Sequence, residues 1–545
     1  MGLPVLVSLL AAPLAAQSNV DPTIDVRLAL LEELDALGRE GTFPNGVNAA
    51  AMSTTVCNQG GEVEWFAPMD PRHPVIAFLI AREDANGRFE QISDRSFLKH
   101  GFFAVTGSDC GPCTPPSGAG FGDFLGVGCS DTYSLASNGN DFWLGPADEI
   151  DPWLGSWDPQ CSFFDLGLTG SSCDGSRSFS QTQANTLGPV GNRIRLSDVD
   201  LNVAGASFWY QAQYVVPKEA EAVRTDNIGS RPFTPIWTGS TWDLVESGTL
   251  QHGSVLERWS GATVRSATNG GDDGRVHIGV RVTGPNDGLY HYELALHNRD
   301  NARGIDELRL PLCSGARILN PWFGDLDANA ANDWVASIES GGTELIFRDP
   351  GTTNALAWNT IYNVAFDSDA APADGGALLR QATAGTGAPS FSVVLPAPLE
   401  LYAPFTGAGC SLDGTPPTLF ATGSPPRASL GNASLALEST GNVPGQLSVL
   451  VTTNAPGTGS IPIQACTFWL QGPFDQLYAF ASTTADASGR AVHPTPVPAN
   501  PFFEGVDLRF QCLSVNPGGG ASFSIFDFSD GLELRIGDAI PGCGN

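Results

Sequence analysis

The chain has 545 residues, of which 58 are Asp or Glu and 27 are Lys or Arg, giving a formal net charge of −31. This charge argues against nucleic acid or an anionic membrane as a partner, because phosphate binding needs clustered cations. The 64 glycines and 40 prolines interrupt short apolar runs, which favours strands and turns over long helices.

Residues 1–16 form a short apolar run that ends in small residues. A membrane span needs roughly 18 apolar residues or more, and this shorter run instead has the pattern of a secretory signal peptide cut near Ala16. No later stretch is apolar enough to span a membrane. The sequence therefore predicts an exported protein, secreted or held in the cell envelope.

Residues 17–62 are predicted to be a helical and irregular N-terminal segment. Its apolar residues recur at the three- and four-residue intervals of an amphipathic helix: Ile24, Leu28, Leu31 and Leu34. Gly38 follows as a stop signal. One short surface helix is therefore expected here.

Residues 63–250 are expected to form a loop-rich β domain, because apolar runs are separated by long Gly, Ser, Asp and Pro stretches. Six cysteines are expected to pin this domain with disulfides in an oxidising compartment: Cys57, Cys110, Cys113, Cys129, Cys161 and Cys173. Their pairing stays open, since six cysteines allow 15 connectivities. Cys110 and Cys113 have redox-site spacing, but the prolines that follow prevent an activating helix, so a structural role is favoured.

Apolar and polar residues alternate more regularly along residues 251–400, which predicts an antiparallel, immunoglobulin-like β-sandwich. The predicted strands are 275–282, 289–298, 307–312, 334–338, 344–347, 361–366 and 391–395. The first two are expected to form a hairpin whose turn centres on Asn286.

The register of that hairpin decides whether its histidines can meet a carboxylate. Matching apolar faces predicts Arg281 opposite His291, with His277 diagonal to Glu293 and His297. Those last three side chains could hold zinc. An outward polar ladder with an Arg281–Glu293 ion pair is the simpler interpretation.

A Pro-, Gly- and Thr-rich stretch at 401–427 is predicted to be a linker. Residues 428–545 alternate again and predict a C-terminal β-sandwich module. The sequence Ser529-Asp530-Gly531 indicates a hairpin turn between its final strands.

Four cysteines lie in or beside this module, and two disulfides are predicted among them. Cys466 and Cys512 share strand faces with large apolar side chains, so both thiols are expected in one core and are predicted to pair. Cys410 and Cys543 flank the module and are predicted to pair by elimination. Cys313 is then left unpaired.

The segment 325–333 has the alternating oxygen side chains of a calcium loop: Asp325, Asp327, Asn329 and Asp333. An EF-hand is excluded, because Ala330 replaces the required Gly and Ala336 replaces the bidentate Glu. A looser calcium site is predicted, and calcium is the one cofactor suggested. The alternative is a solvated turn whose side chains cap their own backbone.

Several blocks resemble recurring segments of uncharacterised secreted multi-module β proteins of planctomycete bacteria. They are WFAPMDPRHP at 65–74, FLKHGFFA at 97–104, GCSD at 128–131, YHYE at 290–293 and WNTIYN at 358–363. The C-terminal module, with LGN at 430–432 and GLEL at 531–534, is similar to a β-module appended to many such proteins. The resemblance implies export and a β fold, and it transfers no functional residues.

No nucleophile elbow or other complete catalytic signature is present in the sequence. The chain is interpreted as an exported β-sandwich protein with a binding or structural role and a glycan or envelope component as candidate partner. Five loop tryptophans beside Asp and Asn suit carbohydrate contact: Trp143, Trp153, Trp157, Trp237 and Trp242. The alternative is a secreted carbohydrate-active hydrolase with a carboxylate pair before residue 250, which requires a concave cleft.

Overall fold

The computed structural model describes residues 20–116, 122–167, 172–269, 274–339, 341–401, 405–424, 426–453, 460–470 and 477–537. They form three antiparallel β-sandwiches in chain order. The predicted class, tandem immunoglobulin-like β-sandwiches with long loops, is confirmed. The predicted signal peptide lies outside the described residues. Within those residues, no helix is long and apolar enough to cross a membrane.

The first sandwich contains sixteen strands and four helices of one turn each. The strands are β1 (Val26–Glu40), β2 (Val47–Asn58), β3 (Val63–Glu64), β4 (Val75–Glu83), β5 (Phe89–Gln91), β6 (Leu98–Lys99), β7 (Phe124–Leu125), β8 (Ser130–Tyr133), β9 (Leu144–Gly145), β10 (Ile150–Asp151), β11 (Ser156–Trp157), β12 (Ile194–Ser197), β13 (Ser207–Val215), β14 (Ile228–Trp237), β15 (Trp242–Glu246) and β16 (Gln251–His252). The helices are α1 (Leu135–Asn138), α2 (Phe163–Leu166), α3 (Gln181–Ala184) and α4 (Asp198–Leu201).

Two sheets make this sandwich. One has the order β1-β2-β12 with β8 also on β2, and the other has the order β15-β14-β13-β4-β6-β9 with β16 on β14 and β5 on β4. Leu28 and Phe78 meet in the core between them. The far face of the larger sheet is covered by the cluster around Trp157 and by Ala295 of the second sandwich. Because both faces of β4 are buried, residues 75–81 of this strand form an unbroken apolar run.

The prediction of an N-terminal helix is wrong, because residues 26–40 form strand β1. The pairing of β1 with β2 has register shifts between Leu28 and Leu30 and between Leu31 and Leu34. A β-bulge adds a residue to one strand, so the spacing between inward side chains grows from two to three. The bulged strand therefore imitates a helical period.

The second sandwich contains ten strands in two five-stranded sheets. They are β17 (Thr263–Ala267), β18 (Val276–Asn286), β19 (Leu289–Asn298), β20 (Ile305–Pro311), β21 (Ile318–Gly324), β22 (Val335–Glu339), β23 (Glu344–Arg348), β24 (Thr360–Ser368), β25 (Ala371–Gln381) and β26 (Ser390–Glu400). The sheet orders are β17-β18-β19-β24-β21 and β22-β23-β20-β25-β26. All seven predicted strands are present, whereas β17, β21 and β25 were not predicted.

The predicted register of the β18–β19 hairpin is wrong by two residues, since Arg281 lies opposite Glu293 and His277 lies opposite His297. The turn is made by Asp287 and Gly288, whose φ angles are 49° and 78°. Two successive positive φ values are typical of a type I′ turn, which favours the Asp-Gly pair. The turn was expected to centre on Asn286, and it lies instead at the next two residues.

The third sandwich contains ten strands. They are β27 (Phe405–Thr406), β28 (Thr418–Thr422), β29 (Ala436–Thr440), β30 (Leu447–Thr453), β31 (Ile461–Ile463), β32 (Cys466–Phe468), β33 (Tyr478–Thr484), β34 (Ala491–Pro494), β35 (Asp507–Val515) and β36 (Phe526–Arg535). The sheets have the orders β27-β36-β35-β30-β33 and β28-β29-β34, and β31 pairs with β32.

Two predictions about this region are wrong. The described parts of the expected linker at 401–427 include β27 and β28, which pair with β36 and β29 and so belong to the sandwich. Ser529-Asp530-Gly531 lies inside β36 rather than in a turn. Burial of Ser529 and Asp530 within the sheet overrides the local turn preference of their sequence.

The predicted Cys466–Cys512 and Cys410–Cys543 pairs are also wrong, because Cys410 is bonded to Cys466 and Cys512 is a buried free thiol. Cys466 packs with Phe468 and Phe528 in a small cluster under β31 and β32. Cys512 lies in the separate main core. The prediction that Cys466 and Cys512 lie on apolar strand faces is correct, but the two faces belong to different cores. Cys543 lies outside the described residues.

Three further disulfides join Cys57 to Cys110, Cys113 to Cys129 and Cys161 to Cys173. The two cysteines with C-x-x-C spacing thus have different partners. Cys313 is disulfide-bonded, so the expectation that it is unpaired is wrong. Disulfides in this number are typical of an oxidising, extracellular compartment.

Candidate functional site

An open cleft of about 590 Å³ lies between the first and second sandwiches. Its first wall comes from β4, β5, β12 and α4, and its second wall comes from β21 and the loop that follows it. The residues with charged or aromatic side chains that line it are Arg82, Glu90, Asp94, Arg195, Asp200, Trp322, Phe323, Asp325, Asp327 and Asp333. The cleft is therefore strongly polar.

The carboxylates of the first wall are paired with arginines. Arg82 donates to Glu90 at 2.9 Å and to Asp200 at 3.2 Å. Arg195 donates to Asp94 at 2.6 Å, and the backbone N–H of Arg195 donates to the same carboxylate at 2.8 Å. Burial nevertheless raises the pKa of Asp94 and of Asp200 above the usual range, against the effect of their arginines.

The second wall carries three of the four predicted calcium ligands. Asp325, Asp327 and Asp333 line the cleft, whereas Asn329 lies outside its lining. None of the three carboxylates has an arginine, lysine or histidine partner among the described ion pairs. Partial burial and the charges of Asp325 and Asp327 raise the pKa of Asp333. A bound cation would relieve this repulsion.

The loop itself has the hydrogen bonds of a capped turn. The backbone N–H of Asp327 donates to Asp325 at 2.9 Å, and that of Asn329 donates to Asp327 at 2.6 Å. Asn354 also donates from its side chain to Asp325 at 2.5 Å. Within the described residues, no group of three or more His, Cys, Asp or Glu side chains is arranged to hold a metal ion. The calcium site stays a prediction.

Trp322 is held rigidly at the cleft by its neighbours. The guanidinium carbon of Arg88 lies 3.8 Å from the centroid of the indole. Gly324 lies against the ring, because a Cβ on Gly324 would come within 2.4 Å of the indole Cη2. Arg88 in turn donates to Glu293 at 2.8 Å. With one face of the indole covered, the remaining exposed part of Trp322 lines the cleft.

A largely buried ion network joins the first and second sandwiches. Arg224 and Glu221 belong to the first sandwich. Arg224 lies 3.3 Å from Asp300, and Arg299 lies 2.9 Å from Asp300 and 3.2 Å from Glu221. Arg275 adds a 2.6 Å contact to Glu221. The two sandwiches are therefore held together by ion pairs that lie outside the cleft lining.

The histidines of the second sandwich do not form the zinc site considered from the sequence. His277 and His297 face each other across their strands, with ring centroids 6.1 Å apart. His297 is buried and His277 is half-buried, and burial lowers the pKa of His297 to about 3. Glu293 instead binds Arg88 and, at 3.0 Å, His291. The expected Arg281–Glu293 ion pair is replaced by Arg88.

The loop tryptophans named from the sequence are mostly structural. Trp153, Trp157 and Trp242 are buried in the first sandwich. Trp322, which does line the cleft, was not singled out, and neither were Arg82 and Arg195. Their sequence positions carry no local motif, since the cleft is assembled from strands far apart in the chain.

No family model matches the chain, and no curated protein matches it. Among solved structures, it is similar to BcpA, the major pilin subunit of Bacillus cereus, at 11% identity over 63% of this chain and 84% of that chain, with a TM-score of 0.17. It is also similar to a tetra-tandem repeat in the extending region of a large adhesion protein, at 9% identity over 95% of this chain and 94% of that chain, with a TM-score of 0.14. TM-scores this low do not indicate a shared overall fold, so neither likeness bears on function.

Proposed function

We propose that this chain is an exported protein of the cell envelope or extracellular space, and that its cleft binds a hydroxyl-rich extracellular ligand, a glycan. The observation that carries the proposal is the polar cleft of about 590 Å³ between two rigidly joined sandwiches. Ligand sites are commonly concave and placed at domain boundaries. The apolar N-terminal run and the disulfides support export.

The chemistry of the cleft favours a ligand with many hydroxyl groups. A hydroxyl both donates and accepts hydrogen bonds, so it can accept from Arg195 on one wall and donate to the carboxylates of Asp327 and Asp333 on the other, which have no cationic partner among the described ion pairs. Calcium bound by Asp325, Asp327 and Asp333 would add a Lewis-acidic centre that sugar hydroxyls can ligate. The exposed part of Trp322, which lines the cleft, can contact an apolar face of a sugar ring.

A glycan-array screen of the exported chain, with calcium and with chelator, tests the function. The wild type is expected to bind a defined set of glycans. A Trp322→Ala variant and an Asp327→Asn/Asp333→Asn variant are expected to lose at least tenfold in affinity. Asp413→Asn, at an exposed turn of the third sandwich, is the matched control and should bind normally. No bound glycan, or equal binding by all variants, contradicts the proposal.

A second candidate is a secreted carbohydrate-active hydrolase. Asp94 and Asp200 both line the cleft, and burial raises the pKa of each carboxyl, which is the direction that a general acid requires. Release of reducing ends from any array-positive glycan, abolished in Asp94→Asn or Asp200→Asn, would support hydrolysis. Binding of a glycan without release of reducing ends would contradict hydrolysis and support the binding function.

A further inference from the structure

Two buried carboxylates and one guanidinium lie together where the second sandwich meets the third. Asp369 follows β24 in the second sandwich, and Asp530 lies inside β36 of the third; their exposed fractions are 7% and 4%. Arg317 belongs to the second sandwich and lies 3.4 Å from Asp530. The backbone N–H of Arg317 donates to Asp369 at 2.8 Å. Among the described residues, the Arg317 guanidinium pairs with Asp530 and its charge also acts on Asp369, so two buried carboxylates share it.

Contacts from these groups cross the junction. Arg317 reaches from the second sandwich to Asp530 and stacks on Phe405 of the third, with its guanidinium carbon 4.6 Å from the ring centroid. The backbone N–H of Phe405 donates to Asp369. Gly288 of the β18–β19 turn fits against Phe420, since a Cβ on Gly288 would lie 2.5 Å from the Cβ of Phe420. The junction thus combines an aromatic contact with an unbalanced charge.

Other charged and titratable groups surround this cluster. Tyr292 lies near Asp369, and Tyr290 next to it faces Glu400 and Arg427; Cys512 lies near Asp530, and Asp287 and Arg490 face each other across the junction. Burial raises the pKa of both tyrosines and of the Cys512 thiol, so these three stay neutral between pH 5 and 7.5. They therefore add no charge to the cluster.

We infer that acid strengthens the docking of the third sandwich on the second, through protonation of Asp369 and Asp530. Protonation removes the excess buried negative charge and leaves the hydrogen bonds from Phe405 and Leu419 in place. Burial raises the pKa of each carboxyl to about 6 in the docked form. A carboxyl that returns to an ordinary pKa near 3.8 on separation favours docking by about tenfold at pH 5.0 relative to pH 7.5.

Hydrogen exchange of the Phe405 amide in the full chain, corrected for the intrinsic rate at each pH, tests the inference. Protection is expected to rise about tenfold for each carboxyl, and so about a hundredfold in all, between pH 7.5 and pH 5.0. Asp369→Asn/Asp530→Asn keeps the hydrogen-bond acceptors and is expected to lose this pH dependence. Asp507→Asn, which removes a surface partner of Arg535 in the same sheet, should retain it.

If the double variant fails to fold, the single variant Asp530→Asn takes its place. It is expected to keep about half of the change in the logarithm of the protection factor between the two pH values. Protection that is equal at the two pH values, or lower at pH 5.0, overturns the inference. A pH dependence that persists unchanged in the Asn variants also overturns it.

Discussion

The guanidinium of Arg88, in the first sandwich, stacks on Trp322 at 3.8 Å and donates to Glu293 at 2.8 Å, both of which belong to the second sandwich. The side chain of Glu293 is only 9% exposed. A single residue therefore orients the cleft aromatic and neutralises a nearly buried carboxylate. Removing Arg88 leaves that carboxylate without its strongest partner.

The first prediction concerns this contact. Arg88→Gln is expected to lower the free energy of unfolding of the first two sandwiches by about 2 kcal/mol, through loss of charged hydrogen bonds and the cation–π contact. Denaturant unfolding measures the change. Arg72→Gln removes an exposed ion pair and is expected to cost less than about 1 kcal/mol. Equal effects of the two substitutions would contradict the prediction.

The second prediction concerns calcium. An ion that binds only the folded state stabilises it by about 2.7 kcal/mol at a concentration of 100 times Kd. Millimolar calcium is therefore expected to raise the melting temperature of the wild type in calorimetry, relative to a sample with chelator. Asp327→Asn/Asp333→Asn should abolish the rise, and Asp413→Asn should retain it. Identical wild-type melting curves in calcium and chelator would refute the site.

The third prediction concerns the disulfide between Cys410 and Cys466. It spans 56 residues of sequence, and a loop of this size contributes about 4 kcal/mol in the chain-entropy account. Cys410→Ser/Cys466→Ser is expected to lose much of this stability in the third sandwich. Cys512→Ala, which changes a buried free thiol, is expected to cost less than half as much. Non-reducing peptide mapping should recover the Cys410–Cys466 peptide, and a Cys466–Cys512 peptide would contradict the structure.

The fourth prediction concerns pH. Burial lowers the pKa of His297 to about 3, below the unfolded value near 6.5, so the unfolded state binds the proton first as pH falls. His297 therefore contributes stability that is present above pH 6.5 and decreases by about 2 kcal/mol between pH 7 and pH 5. His297→Asn should remove this part of the pH dependence of unfolding.

His291 provides a control of opposite sign. Hydrogen bonds to Asp367 and Glu293 raise its pKa against the effect of burial, so its contribution to stability is fully present below pH 6.5 and decreases as pH rises through its folded pKa. His291→Asn should therefore change the slope in the opposite direction. Slopes that change in the same direction in both variants would contradict the assignment.

The sequence predicted strands well where the pairing is regular and poorly where a bulge intervenes. Alternation along 289–298 and 361–366 located β19 and β24 correctly. In β1 the bulges place inward apolar residues three positions apart. In β18 the pairing with β19 differs from the predicted register, and it contains a register shift near the turn. Bulges depend on the partner strand, so one strand read alone does not reveal them.

The candidate site was predicted only where its residues are close in sequence. The acidic loop at 325–333 was identified, and three of its members line the cleft. Arg82, Arg195 and Trp322 come from different strands and are brought together by the packing of two sandwiches. Such a juxtaposition is a property of the tertiary structure, and no spacing in a single chain segment encodes it.

The ion network between the first two sandwiches has a consequence for the response of the protein to salt. The side chains of Arg224 and Asp300, which join the two sandwiches, are 7% and 1% exposed, so dissolved ions do not reach the contact between them. Surface ion pairs weaken as salt concentration rises, whereas buried pairs are screened much less. This contact between the sandwiches therefore persists in dilute and in concentrated salt.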